Sequence, residues 1–223
     1  MQKSGTDLAM SVATRVKIFI IQYIVYDKTA QNVIQYLHRV LVSPSELWHL
    51  TGGKILISRF CPNLYFESLY QIDLSHLKSI GIRGIVFDID NTVTMWGSDK
   101  VPQDTLKWLE DTKTQGFRVC LLSNNRKARV DSISCMLDIP SAKGFKPFGS
   151  AFRSALSLLG TSPKETAIIG DQIFTDILGG NRAGLYTILV QPLSTTEFFT
   201  TRLFRKLERI VLHKLACRGM LKP

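Results

Sequence analysis

Residues Gly84–Gly97 read GIVFDIDNTVTMWG, so the apolar run Ile85-Val86-Phe87 delivers two aspartates, Asp88 and Asp90, into the turn-forming pair Asn91-Thr92. Two carboxylates at i and i+2 leave an extended chain on the same side. At the end of a buried strand they would share a cleft, where their mutual repulsion calls for neutralisation. A hard divalent cation does this well, and Mg²⁺ takes one or two carboxylates together with substrate phosphate oxygens. Alone, the D-x-D-x-T spelling fits equally a strand that simply ends in turn residues. Further polar residues follow short apolar runs: Ser123 after Leu121-Leu122, Lys146 before Pro147, and Asp171 after Gly170, with Asp176 one helical turn beyond. Each has an ordinary explanation by itself. Ser123 could cap a helix, Lys146 could be a solvated charge, and Asp171 could cap the helix that follows.

The elements around these residues decide whether they meet. Ile85–Ile89 is apolar on both faces, as a buried parallel strand is. Gln103–Gln115 reads as a helix anchored by Leu106, Trp108 and Leu109, with Pro102 at its start. Phe117–Leu122 reads as a second buried strand, Arg126–Leu137 as a helix, and Ser141–Phe145 as a short strand. Ser150–Leu159 is a helix with Phe152, Ala155, Leu156 and Leu159 on one side. Thr166–Ile169 is a buried strand, Ile173–Arg182 a helix and Tyr186–Val190 the last strand. Ahead of them, Leu64–Ile72 leads by a short helix or an extended path to Leu74–Ile80. This alternation implies an α/β fold with a parallel sheet and helices on both faces. Ligands in such sheets bind beyond the carboxyl ends of the strands. Asp88, Asp90, Ser123, Lys146 and Asp171 all fall there, and the joint placement exceeds what turn chemistry accounts for.

The ordered set resembles the haloacid-dehalogenase-like (HAD) phosphohydrolases. Their first motif, D-x-D-x-[TV], is matched by Asp88-Ile89-Asp90-Asn91-Thr92. Their second, a Ser or Thr after a hydrophobic strand, is matched by Leu121-Leu122-Ser123-Asn124. Lys146 before Pro147 matches the third, and Gly170-Asp171-Gln172-Ile173-Phe174-Thr175-Asp176 the acidic fourth. More narrowly, Asn63–Leu215 is similar to subfamily IIIA, the YqeG-type branch related to phosphatidylglycerophosphate phosphatases. The similar stretches are Leu64-Tyr65, Ser68–Asp73, Ser123-Asn124-Asn125 and Gly170–Tyr186. Residues 1–57 fall outside the resemblance.

The resemblance implies a Rossmann-like HAD fold and a Mg²⁺-dependent phosphatase acting through an aspartyl-phosphate. Asp88 would be the nucleophile and Asp90 the acid and then the base. Mg²⁺ would be held by Asp88, the main-chain carbonyl of Asp90 and Asp171. Ser123, Asn124 and Lys146 would hold the substrate phosphate, with Thr92 and Asp176 supporting the site. Many relatives carry Gly where this chain has Asn91, a residue that tolerates the same turn.

Spacing bears on the substrate. Only 32 residues separate Asp90 from Ser123, and 22 separate Ser123 from Lys146. Neither gap accommodates a folded cap of the kind that relatives acting on small metabolites often insert. An open site admits a phosphate displayed on something large, such as a lipid headgroup at a bilayer. Charge distribution is compatible with this. The net charge is +10, but residues 58–190 carry only +2, while residues 1–57 carry +3 and residues 191–223 carry +5. Basic ends on a near-neutral body suit an anionic surface. Thr200–Ala216 places Leu203, Phe204, Leu207, Ile210, Val211 and Leu215 on one face and mainly basic residues on the other. That pattern serves an interfacial helix or a terminal helix docked on the sheet.

Three segments are thus expected: a helical extension over 1–57, a HAD-like domain over 58–195 and a basic amphipathic helix over 196–223. Within the first, Thr29–Val42 and Ser45–Trp48 read as helices. Val16–Tyr26 is shorter than the roughly 20 apolar residues that span a bilayer, and no secretory signal is evident. Four cysteines (Cys61, Cys120, Cys135, Cys217) form no C-x-x-C and fit a reducing compartment, with Cys120 a buried small hydrophobe. The leading expectation is hydrolysis of phosphatidylglycerophosphate to phosphatidylglycerol by a cytoplasmic enzyme peripheral to the inner membrane face, an organellar setting being the other option. The alternatives are a soluble phosphomonoesterase for nucleotides or sugar phosphates, and a non-catalytic binding protein on a HAD fold. No nucleic-acid partner is expected, since the body has no basic patch interleaved with aromatics.

Overall fold

The structure, a computed structural model, describes residues 58–194, 208–209 and 211–221. The extension read over residues 1–57, with its helices at Thr29–Val42 and Ser45–Trp48, lies outside the described residues, as do Leu203, Phe204, Leu207 and Ile210 of the tail.

Five strands form one sheet: β1 (Leu64–Phe66), β2 (Gly84–Phe87), β3 (Arg118–Leu121), β4 (Thr166–Gly170) and β5 (Tyr186–Val190). Their order is β1-β5-β4-β2-β3, and every pairing is parallel. The helices are α1 (Leu74–Ser79), α2 (Gln103–Thr114), α3 (Lys127–Leu137), α4 (Gly149–Leu159) and α5 (Leu178–Ala183). Residues of β2 and β4 are buried throughout, as expected of strands covered on both faces. Period-2 alternation divides the core in two. Ile85, Phe87, Val119, Leu121, Ala167 and Ile169 face one layer with Leu77, Leu109 and Ile133 of α1, α2 and α3. Val86, Cys120, Leu122 and Ile168 face the other, against Ala151, Phe152, Ala155 and Leu159 of α4. Burial pushes the Cys120 thiol up to about 12, which keeps it protonated and inert at neutral pH.

After β3 the chain crosses to the far side of β2 to lay down β4, so the direction of strand addition reverses between β2 and β4. A crevice opens beyond the carboxyl ends of the strands at such a reversal. The register pairs Phe87 with Ile169 and with Leu121. Asp88, Leu122 and Gly170 therefore lie level, with Ser123 and Asp171 one residue further out.

Two elements differ from the sequence reading. Ser141–Phe145 is not a strand; it makes one bridge, Ser141 beside Leu121. The chain leaves extended geometry at Gly144 (φ +130°), where an added Cβ would stand 2.5 Å from the Ala151 Cα. Ile173–Arg182 is not one regular helix. A wide turn of π-helical hydrogen bonding covers Ile173–Ile177, and α5 begins only at Leu178. Leu64–Ile72, expected to lead on by a short helix or an extended path, runs extended as the edge strand β1 beside β5 and then makes a 3-10 turn at Leu69–Gln71.

From the tail, helical residues 211–217 bury Leu215 completely. Val211 and Leu212 pack against Ile173, Ile177 and Leu189. Arg209, Lys214 and Arg218 are exposed.

Candidate active site

The last residues of β2 and β4 place the first carboxylates. The Asp88 amide donates to the Ile169 carbonyl at 3.0 Å, which extends the ladder one residue past the strand and aims Asp88 into the crevice. Asn91 then takes a left-handed conformation (φ 63°), which asparagine accepts more readily than most residues. Its side-chain oxygen accepts from the Trp96 amide at 3.1 Å, folding 91–96 into a tight turn.

Asp88, Asp171 and Asp176 each offer a carboxylate oxygen, all within 4.8 Å of one another, and all three residues are buried. Asp176 gets there because of the wide turn. Its Oδ2 accepts from the Gln172 amide at 3.0 Å, and its carboxylate folds back over Gly170. An added Cβ on Gly170 would lie 2.3 Å from the Asp176 Cγ, so only glycine fits there.

Lys146 enters the same cluster and is 2% exposed, so it is no solvated surface charge. Its Nζ lies 2.5 Å from Asp88 Oδ1 and 2.6 Å from Asp176 Oδ1. Asn124 fixes the Lys146 main chain from both sides: its Nδ2 donates to the Lys146 carbonyl at 3.0 Å, and its Oδ1 accepts from the Lys146 amide at 2.7 Å. The Asn124 side chain, expected on the substrate phosphate, is thus engaged in holding the lysine. Ser123 is buried, and its Oγ accepts from the Asn125 amide at 3.1 Å. Thr92 is 1% exposed, and its hydroxyl has no hydrogen-bond partner among the described residues.

Charge in this pocket is unbalanced. Burial pushes the Asp88 carboxyl up to about 7, with Asp176 and Asp90 adding to the rise and Lys146 opposing it. Burial works against the Lys146 charge too, but Asp176 and Asp88 outweigh it and hold the ammonium above the ordinary lysine range. One ammonium among three buried carboxylates leaves net negative charge in a medium that penalises it. The donors are hard oxygens, the set Mg²⁺ prefers. The residues present therefore fit a divalent cation.

Asp90 points elsewhere. Its Oδ1 accepts from Arg129 Nη2 at 3.0 Å and its Oδ2 from Asn125 Nδ2 at 2.9 Å. Arg129 and Asn125 are the site neighbours to which the sequence reading assigned no role. Arg129 had a signal in the sequence: a cation in the first turn of a helix, where the dipole disfavours it.

A parallel sheet that carries a buried aspartate cluster and a lysine at its carboxyl edge, with no folded cap between Asp90 and Lys146, defines a class of phosphoryl-transfer enzyme. The chain belongs to the HAD superfamily of phosphatases, in the branch that includes YqeG and the phosphatidylglycerophosphate phosphatases. It is a HAD-type phosphoric monoester hydrolase. It is 37% identical to "Probable phosphatase YqeG" of Bacillus subtilis (strain 168) over 161 residues, 72% of this chain and 94% of that one. "Phosphatidylglycerophosphate phosphatase 1, chloroplastic/mitochondrial" of Arabidopsis thaliana is 32% identical over 73% of this chain. The chloroplastic protein of the same name from Chlamydomonas reinhardtii is 27% identical over 73% of this chain. This chain spans 49% and 64% of the length of those two relatives. The family described as mitochondrial PGP phosphatase matches residues 54–134, and the HAD-hydrolase-like family matches residues 145–196.

Proposed function

We propose that the protein releases the terminal phosphate of phosphatidylglycerophosphate at an anionic membrane face, giving phosphatidylglycerol and inorganic phosphate. The observation that carries the substrate is the match of residues 54–134 to the mitochondrial PGP phosphatase family. Two features of the chain support it. The crevice lacks a folded cap among the described residues, so a headgroup can reach it without leaving the bilayer. Helical residues 211–217 bury Leu215, while Arg209, Lys214 and Arg218 remain exposed to face anionic lipid. No helix among the described residues is long and apolar enough to cross a membrane.

In this reading the Asp88 carboxylate attacks phosphorus in line with the ester bond. As the ester P–O bond breaks, Asp90 gives its proton to the departing oxygen of the lipid. Water then attacks the aspartyl-phosphate, Asp90 accepts its proton, and cleavage of the bond from phosphorus to the Asp88 oxygen frees phosphate. Ser123 and Lys146 hold the phosphoryl oxygens. Asn124 serves by fixing the Lys146 backbone, and Asp176 by fixing its ammonium, while Thr92 lies buried in the turn after Asp90. The Asp88 and Asp171 carboxylates and the Asp90 main-chain carbonyl would hold Mg²⁺, which would supply charge neutralisation at the phosphoryl oxygens.

The test is phosphate release from phosphatidylglycerophosphate in mixed micelles, with and without Mg²⁺, beside soluble nucleotide and sugar phosphates. Preference for the lipid is expected, with a loss of at least about a thousandfold in Asp88→Asn. Turnover confined to the soluble esters would overturn the lipid assignment and leave the phosphatase chemistry standing.

A further inference from the structure

Helix α3 starts against its own electrostatics. Arg126 is the N-cap residue, makes no side-chain capping bond, and is followed by Lys127 and Arg129 with no acidic residue in the first turn. A helix N-terminus favours the opposite charge and an Asp, Asn, Ser or Thr cap. Local rules broken in this way tend to mark residues retained for function.

Arg129 makes four contacts across the mouth of the site. Its Nη2 donates to Asp90 Oδ1 at 3.0 Å, to the Ser98 carbonyl at 2.8 Å and to Thr94 Oγ1 at 3.2 Å. Its Nη1 pairs with Asp99. Thr94 Oγ1 in turn donates towards the Met95 and Ser98 carbonyls at 3.0 and 3.1 Å. One guanidinium thus joins Asp90, the chain that follows it through Asp99, and the first turn of α3. Asn125 holds the second oxygen of Asp90 from the same side. The side chains of Arg129 and Asp90 are 14% and 15% exposed, so this contact is far less screened than a surface ion pair.

We propose that Arg129 is a positioning residue for the phosphatase reaction, fixing the Asp90 carboxylate so that both proton transfers start from one geometry. This rests on the proposed role of Asp90. Arg129 neither gives nor takes a proton, because guanidinium stays charged. It acts by orientation, and its planar fork holds Asp90 and the 94–99 loop together as a single ammonium could not.

The leaving group separates this role from a merely structural one. An alkyl phosphate needs a proton on its departing oxygen; 2,4-dinitrophenyl phosphate does not, but its aspartyl-phosphate still needs Asp90 to activate water. The full chain is assayed with Mg²⁺ on both esters, as wild type, Arg129→Met, Arg129→Lys, Asp90→Asn and Arg129→Met/Asp90→Asn. The alkyl ester is phosphatidylglycerophosphate, or glycerol 3-phosphate should the lipid not be hydrolysed, so failure of the lipid assignment leaves the experiment intact. Arg129→Met is expected to lose at least about tenfold more kcat/KM on the alkyl ester than on the dinitrophenyl ester. It should also accumulate aspartyl-phosphate, trapped by acid quench, during turnover of the dinitrophenyl ester. The double variant should be no slower than Asp90→Asn, as expected of residues acting as a unit. Arg129→Lys should fall between wild type and Arg129→Met, and it carries the same comparison if Arg129→Met fails to fold. Equal losses on both esters without phosphoenzyme accumulation, or full additivity with Asp90→Asn, would overturn the proposal. Absence of leaving-group discrimination in Asp90→Asn itself would overturn the role of Asp90 and the positioning role with it.

Discussion

Asp88 and Asp90 are separated by one residue, yet they sit in opposite settings. Asp88 faces inward among Asp171, Asp176 and Lys146, where burial raises its carboxyl to about 7. Asp90 sits at the mouth, with one oxygen on an arginine and the other on an asparagine amide. The sheet explains the divergence. Asp88 still belongs to the ladder through the hydrogen bond its amide donates to the Ile169 carbonyl, whereas the left-handed Asn91 turns the chain immediately after Asp90. A pair of like residues from one strand end is thereby divided into an inner group buried among other charges and an outer group held by two neighbouring side chains. Acid and base duties are commonly separated by such contrasts in environment.

The inner setting can be broken at Gly170, outside the charged set. A methyl group there would meet the Asp176 Cγ at 2.3 Å, and that carboxylate is already held by Lys146 and the Gln172 amide. Gly170→Ala should therefore displace Asp176, raise the Mg²⁺ concentration needed for half-maximal activity by about tenfold or more, and destabilise the fold by about 1–3 kcal/mol. Activity titrated against Mg²⁺, together with thermal melts, checks both. An unchanged Mg²⁺ requirement would separate Asp176 from the cation-binding group.

How much of this was legible in the sequence follows from the range over which each feature is encoded. Asp88, Ser123, Lys146 and Asp171 could be assigned to one edge because each follows an apolar run or a turn, and a parallel sheet aligns such ends. That Lys146 lies between Asp88 and Asp176 could not, because the contact depends on the wide turn at Ile173–Ile177 and on the Asn124 bracket. Arg129 does not stand out in the sequence, because an arginine in an amphipathic window ordinarily lies on the solvent face. Its position in the first turn, beside Arg126 and Lys127 and without an acid, was the available signal. The strand read at Ser141–Phe145 failed on Gly144, whose φ of +130° and close approach to Ala151 depend on tertiary packing.

Proton linkage sharpens the comparison of the two aspartates. The Asp88 carboxyl is raised from 3.8 to about 7 in the folded chain, so between these values the native state holds a proton that the unfolded state has lost. Stability then falls as pH rises across that window, and the loss is complete above about pH 7. The expected result in a chelator is that wild type loses stability relative to Asp88→Asn between about pH 4 and pH 7, with the two curves parallel above. Saturating Mg²⁺ should remove most of the difference, because a cation on the carboxylate offsets the cost of its charge. Denaturant melts of both proteins across pH give the answer, and parallel curves throughout would mean that Asp88 is solvated.

The smallest effect is expected where two opposite charges meet in water. Arg83 and Glu165 approach to 3.5 Å, but the arginine side chain is 74% exposed. Solvent and salt screen such a pair, and ordering two long side chains offsets most of the attraction. The main chain at this point is held independently, since the Arg83 amide donates to the Glu165 carbonyl at 2.8 Å and its carbonyl accepts from the Arg118 amide at 2.9 Å. Arg83→Gln keeps both of those bonds. Its melting temperature should match wild type at low and high salt, and its Mg²⁺-dependent turnover should be unchanged. A clear loss at low salt that fades at high salt would show that charge at the amino-terminal edge of β2 also shapes the fold. Burial alone would then not explain why the contacts at the opposite end of that strand matter.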